Sequence, residues 1–163
     1  MAEARDPSGT VHATAVLIDG RAVLLRGPAG AGKSQLALRL IAAFGARGRD
    51  AALIGDDRVR LEGHGDRLVV RAVPALAGLL EVRGHGIVRR PHEAAGVVAL
   101  VVDLGTETPE RLPEEEATRE VLAGVAVPRL ALWQLDQAAV ERIETVLGER
   151  CRMGNSDRSQ VRS

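Results

Sequence analysis

The chain is short of several residue types, and each shortage closes off a class of function. Of 163 residues one is cysteine, Cys151, so no disulfide can form within the chain and a reducing, cytoplasmic setting is expected. Tyrosine is absent, and Phe44 and Trp133 are the only aromatics. Rings that stack a run of nucleic-acid bases are therefore not expected, and the core must be built from Leu, Val, Ile and Ala. Neither sign of charge is in excess: 22 Lys plus Arg face 22 Asp plus Glu, which argues against a non-specific nucleic-acid binder. No N-terminal apolar segment reads as a leader, and no apolar run approaches the roughly 18 residues of a membrane span. Of the histidines, His64, His85 and His92 lack metal-ligand spacing. At this length one domain is expected.

Lysine is scarce too, and the one lysine is informative. Lys33 stands in Gly27-Pro28-Ala29-Gly30-Ala31-Gly32-Lys33-Ser34, which reads G-x-x-x-x-G-K-S. A polyphosphate needs several backbone N–H groups converging on it, and glycines let the chain wrap that tightly. Lys33 then reaches the β- and γ-phosphates, and the Ser34 hydroxyl can ligate Mg²⁺. The flanks fit a P-loop. Arg21 to Leu25 is a short apolar strand, and Leu36, Leu40 and Phe44 lie on one helical stripe with Ala37 and Ile41 beside it. A helix opening just after the loop turns its positive end toward an anion.

The strand before the loop is unusual. Val11 to Ile18, Asp19-Gly20 and Arg21 to Leu25 read as two strands joined by a type I′ turn. The P-loop strand is then the second arm of an antiparallel hairpin, not a strand entered by a crossover. That predicts an α/β fold with a mixed sheet. Further strands are expected at Ala51–Ile54, Val59–Leu61, Arg67–Val73, Val97–Leu104 and Ala126–Leu132, the last interrupted by Pro128. Pro74 to Leu80 reads as a loop or short helix, Thr106 to Glu120 as a solvated loop, and Leu135 to Leu147 as a helix. Residues 1–10 and 148–163 are expected to be flexible ends around a domain at 11–147.

Several side chains could carry chemistry. Asp56-Asp57 closes the Ala51–Ile54 strand, and two carboxylates there could divide the roles of metal ligand and base; Gly-Asp-Asp is equally good turn chemistry. Asp103 competes, because the apolar run Val97 to Val102 ending in Asp matches the metal-binding strand of most P-loop enzymes. Glu81 and Arg83 share one face if extended, whether as metal and phosphate ligands or as a surface ion pair. His12 heads the hairpin and could equally be structural.

Four blocks in order carry a resemblance: His12 with the Asp19-Gly20 hairpin, Gly27 to Ser34, Leu53-Ile54-Gly55-Asp56-Asp57-Arg58-Val59, and Leu79-Leu80-Glu81-Val82-Arg83-Gly84-His85-Gly86-Ile87. Together they resemble the catalytic domain of HPr kinase/phosphorylase, in the short alphaproteobacterial form without the N-terminal domain. The resemblance implies a single-domain, mixed-sheet P-loop fold similar to phosphoenolpyruvate carboxykinase. It also implies an ATP- and Mg²⁺-dependent kinase of a serine on the phosphocarrier HPr. On that pattern Asp56 is the base, with His12 beside the acidic cluster and Lys33 completing the catalytic set. Ser34, Asp57 and Glu81 form the Mg²⁺ shell, and the loop Gly27, Pro28, Ala29, Gly30, Ala31, Gly32, Lys33 and Ser34, with Arg83, holds the phosphates. Asp103 becomes the end of a core strand. Gly55 replaces the usual Ala, and the later block tied to phosphorolysis is absent, so kinase activity is expected without clear provision for the reverse reaction. The partner is an HPr-type protein, not nucleic acid or membrane, with homo-oligomerisation left open. The alternatives are a small-molecule kinase and a non-catalytic ATP sensor.

Overall fold

The computed structural model describes residues 9–105, 118–133 and 135–160, with side chains as far as Glu149. The hairpin forms as its sequence dictates. β2 (Thr14–Ile18) pairs antiparallel with β3 (Arg21–Arg26), and Asp19 and Gly20 both take positive φ, 50° and 78°, as a type I′ turn requires. The expected first strand is broken at Ala13, so that β1 (Val11–His12) pairs with a different neighbour.

α1 (Lys33–Ala46) follows the P-loop and buries Leu36, Ala37, Leu40 and Phe44. β4 (Ala51–Gly55), β5 (Arg58–His64) and β6 (Arg67–Ala72) come next, then a single 3₁₀ turn at Pro74–Leu76. β7 (Leu79–Val82) and β8 (Gly86–Arg89) make a separate two-stranded hairpin. Its glycines, spaced for a turn, hide the alternation that would have marked strands. β9 (Ala95–Leu104) is the longest strand.

Beyond it, β10 (Arg119–Leu122) begins inside the segment expected to be loop; 106–117 lie outside the described residues. β11 (Val125–Leu132) runs through Pro128 without interruption. Pro128 faces Arg119 of β10, while the ladder to β9 starts only at Arg129, so the missing N–H costs no bond to the sheet centre. α2 (Ala139–Gln160) starts later than expected and continues past Gly148, where a flexible tail was expected. Asp136 stands just before it, its side chain accepting from the Ala138 N–H at 3.0 Å.

Across the centre the strands run β11, β9, β3, β2, β4. β9 is parallel to both β3 and β11, and β4 shares the direction of β3 because both oppose β2. Four co-directional strands therefore end along one edge, and β3, carrying the P-loop, lies among them. β6 pairs antiparallel with the first residues of β9, and β5 with β6 and β1, which curls the sheet back toward the hairpin. β3 is buried on both faces. Val23 and Leu25 join α1, α2 and Leu80 in one core; Ala22 and Leu24 join Val59, Val70, Val101 and Leu122 in the other. Among the described residues no helix is long and apolar enough to cross a membrane.

The edge is tied together below the P-loop. Arg26, the residue before Gly27, donates to both carboxylate oxygens of Asp103 at 2.8 Å and also contacts Glu120. Arg129 donates to Asp103 at 2.5 Å. Asp103 is thus a structural ion-pair centre on the face away from α1. Burial alone would raise its pKa, but hydrogen bonds from Arg26 and Arg129 outweigh that and hold it below its ordinary value. A carboxyl depressed in the folded state stabilises fully above its unfolded pKa and loses that contribution as pH falls through the folded value. Asp103→Asn should therefore lower unfolding free energy at pH 7 by about 2 to 3 kcal/mol. The gap should narrow only below the ordinary carboxyl value of 3.8. Urea titrations at neutral and acidic pH check both; equal stability at pH 7 contradicts the structural role.

Candidate active site

The P-loop is shaped for an anion. Gly32 has φ 100°, a conformation strained for any residue with a Cβ, and such a Cβ would lie 2.8 Å from the Leu135 side chain. A Cβ on Gly27 would lie 2.7 Å from the Leu104 carbonyl, which pins the loop to the end of β9. The first turn of α1 carries no acidic residue and no capping side chain. Its N–H groups and positive dipole end are left for a ligand. Lys33 is buried, and its ammonium donates to the Gly27 carbonyl at 2.7 Å and the Pro28 carbonyl at 3.3 Å. Burial pushes its pKa below the ordinary lysine range, opposed by the charges of Asp57 and Asp56.

Asp56 and Asp57 occupy the bend between β4 and β5. The Arg58 N–H closes on the Asp56 carbonyl at 2.8 Å, and Asp57 takes φ 66°, a left-handed conformation that Asp tolerates better than most residues. The turn is tight: a Cβ at Gly55 would lie 2.7 Å from the Val59 side chain and 3.2 Å from the Arg58 carbonyl.

The bend aims the two carboxylates differently. Asp56 accepts from the Ser34 hydroxyl at 2.7 Å, the Thr14 hydroxyl at 2.9 Å and the Glu81 backbone N–H at 3.2 Å. Asp57 instead contacts the His12 imidazole, and both side chains are more than half exposed.

His12, Lys33, Ser34, Asp56 and Asp57 line one cleft of about 630 Å³, together with Gln35, Leu38, Glu81, Val82 and Arg83. Arg83 overhangs the loop, its guanidinium 3.5 Å from where a Cβ on Gly30 would stand. The cleft therefore brings together His12, Gly30, Gly32, Lys33, Ser34, Asp56, Asp57, Glu81 and Arg83. Asp103 is elsewhere. Among the described residues no group of three or more His, Cys, Asp and Glu forms a self-sufficient metal site. A serine hydroxyl with one or two carboxylates suits Mg²⁺, which is held by few protein ligands and completed by phosphate and water.

Thr14 was not singled out from sequence. It is fully buried, donates to Asp56, and its oxygen accepts from the Asp57 N–H at 3.2 Å. A hydroxyl inside the apolar run Ala13 to Ile18 is the signal that could have found it.

The HPr Serine kinase C-terminal domain family matches residues 4–135. The chain belongs to this family. HPr kinase/phosphorylase of Bordetella petrii is 33% identical over 88% of this chain and 47% of its own length. The enzyme of the same name from Mycoplasma mycoides is 38% identical over 50% of this chain and 24% of its own length. The chain thus spans about half or less of these curated relatives. The Hpr(Ser) kinase/phosphatase structure from Coxiella burnetii superposes with a TM-score of 0.70 at 25% identity, covering 93% of this chain and 96% of that one. The mixed-sheet fold is therefore that of the HPr kinase family.

Thr14→Val keeps the shape but removes the hydroxyl, leaving the Asp57 N–H without its partner and Asp56 one donor short. It should cost about 1 to 3 kcal/mol, read as a lower urea midpoint. An unchanged midpoint would mean that Thr14 does not hold the bend.

Proposed function

We propose that the chain is the catalytic domain of a Mg²⁺-ATP-dependent kinase that phosphorylates a serine of an HPr-type phosphocarrier. One observation carries the reading. An anion-binding loop with its lysine faces two differently held carboxylates across a single cleft. Family membership supplies the acceptor class.

The side-chain partners divide the roles. The family resemblance implies Asp56 as the base and Asp57 as a metal ligand. The hydrogen bonds support the reverse. Asp56 shares a bond with Ser34, the P-loop hydroxyl suited to Mg²⁺, and so belongs on the metal side. Ser34, Asp56 and the nearby Glu81 would hold Mg²⁺, which when bound neutralises charge building on the β- and γ-oxygens.

Asp57 projects into the open part of the cleft against His12, where an incoming serine can reach it. It accepts the serine proton as the hydroxyl oxygen bonds to the γ-phosphorus. The bond from that phosphorus to the bridging oxygen breaks in line, and ADP leaves with the electron pair. His12 orients the Asp57 carboxylate. Lys33 exchanges its loop carbonyls for phosphate oxygens, and Arg83 lies over the loop where it can pair with them. Neither a small-molecule kinase nor a non-catalytic sensor is favoured by a specific observation.

Transfer of phosphoryl from Mg²⁺-ATP to an HPr-type carrier tests this. Asp57→Asn should lower kcat by about 100-fold or more while retaining ATP affinity, and Lys33→Ala should lose nucleotide binding. Transfer at the wild-type rate by Asp57→Asn would remove it as the base. Failure of the unaltered protein to label any carrier serine would remove the kinase reading itself.

A further inference from the structure

The chain has one tryptophan, and it stands half-exposed directly after β11. Its position is constrained on both sides. The preceding Leu132 carbonyl accepts from the Gly105 N–H at 3.1 Å. A Cβ on Gly105 would be 3.4 Å from Pro28 of the P-loop. Two residues on, the Leu135 side chain packs against Gly32. Trp133 is therefore held beside the P-loop, at the edge where β4, β3, β9 and β11 all end.

The order of those strand ends gives the indole a meaning. Asp56 and Asp57 lie at the end of β4, on one side of the P-loop strand β3. Trp133 lies at the end of β11, on the other side, two strand spacings or about 10 Å from β3. The γ-phosphate has to face the carboxylates, because the transferred group and its metal are there. The nucleoside then leaves the loop on the opposite flank, toward β9 and β11. A flat, apolar, partly exposed ring on that flank matches the face of a nucleobase, and every base offers a π-face. A chain too poor in aromatics to stack a run of bases can still stack one.

Resting on the nucleotide-dependent reading above, we infer that Trp133 is the stacking platform for the base of the bound nucleotide. It contributes to nucleotide affinity without touching the phosphates. Stacking is sequence-tolerant, so the residue selects for a nucleoside over bare polyphosphate more than for one base over another.

Because the tryptophan is unique, its fluorescence reports on this contact alone. Mg²⁺-ATP should change the emission, whereas inorganic tripolyphosphate should compete with ATP and leave the emission nearly unchanged. Trp133→Ala should weaken ATP binding by about tenfold or more with tripolyphosphate affinity unaltered, and Trp133→Phe should recover most of the loss. Thermal melting of both variants establishes that they fold. ATP affinity unaffected in Trp133→Ala, or an equal loss for ATP and tripolyphosphate, overturns the stacking role while leaving the kinase reading standing. If tripolyphosphate fails to compete with ATP on the unaltered protein, the phosphate cradle and the stacking role fall together.

Discussion

The hydrogen bonds converging on the Asp56 carboxylate hold the site in one piece. Two neighbouring carboxylates repel each other, and an ordinary strand would send their side chains to opposite faces. Here the Ser34 hydroxyl comes from the P-loop, the Thr14 hydroxyl from the hairpin and the Glu81 N–H from β7. Three separate elements thus meet on one carboxylate. With Asp56 anchored, the left-handed turn at Asp57 can point the second carboxylate outward to His12. Charge-assisted bonds of this kind are roughly twice as strong as neutral ones, which suits them to holding an unfavourable turn.

The sheet follows from placing that bend next to the P-loop. A hairpin puts β2 between β3 and β4, so their C-terminal ends lie two strands apart on the same edge. The break at Ala13 lets the chain pair with β4 and then β5 across the bend, and the Ala13 N–H donates to the Asp57 carbonyl at 3.1 Å. On the other side of β3, the ion-pair centre at Asp103 ties β9, β10 and β11 to Arg26. The loop is thereby braced from below by charge and from above by Leu135. The edge reads from acids through phosphate cradle to indole.

Much of this was legible in the residues. Asp19-Gly20 fixes its turn through local backbone preference, and the P-loop glycines are dictated by positive φ and close contacts. Those signals survive any tertiary setting. The β7–β8 hairpin was not legible, because its turn glycines and polar residues mask a short alternation whose buried member is Leu80. The start of β10 reads as loop because an edge strand rich in charge resembles solvated chain. Pro128 misled because its cost depends on which neighbour it faces, and only the register decides that. The different partners of Asp56 and Asp57 are hidden from the sequence for a similar reason. Both residues are chemically identical, and only the turn distinguishes them. Thr14 acts through contacts more than forty positions away in sequence, to the two aspartates.

The metal dependence of nucleotide affinity, compared between the unaltered chain and Asp56→Asn, tests the placement of Asp56 most directly. A carboxylate on the metal side repels bare ATP and welcomes its Mg²⁺ complex. The unaltered chain should therefore bind Mg²⁺-ATP more tightly than ATP in a chelator. Asp56→Asn should bring the two affinities together, chiefly by losing the metal-bound gain. If Asp56→Asn keeps the full preference for Mg²⁺-ATP, the carboxylate that joins P-loop, hairpin and β7 does not hold the metal, and the roles assigned to the two aspartates are wrong.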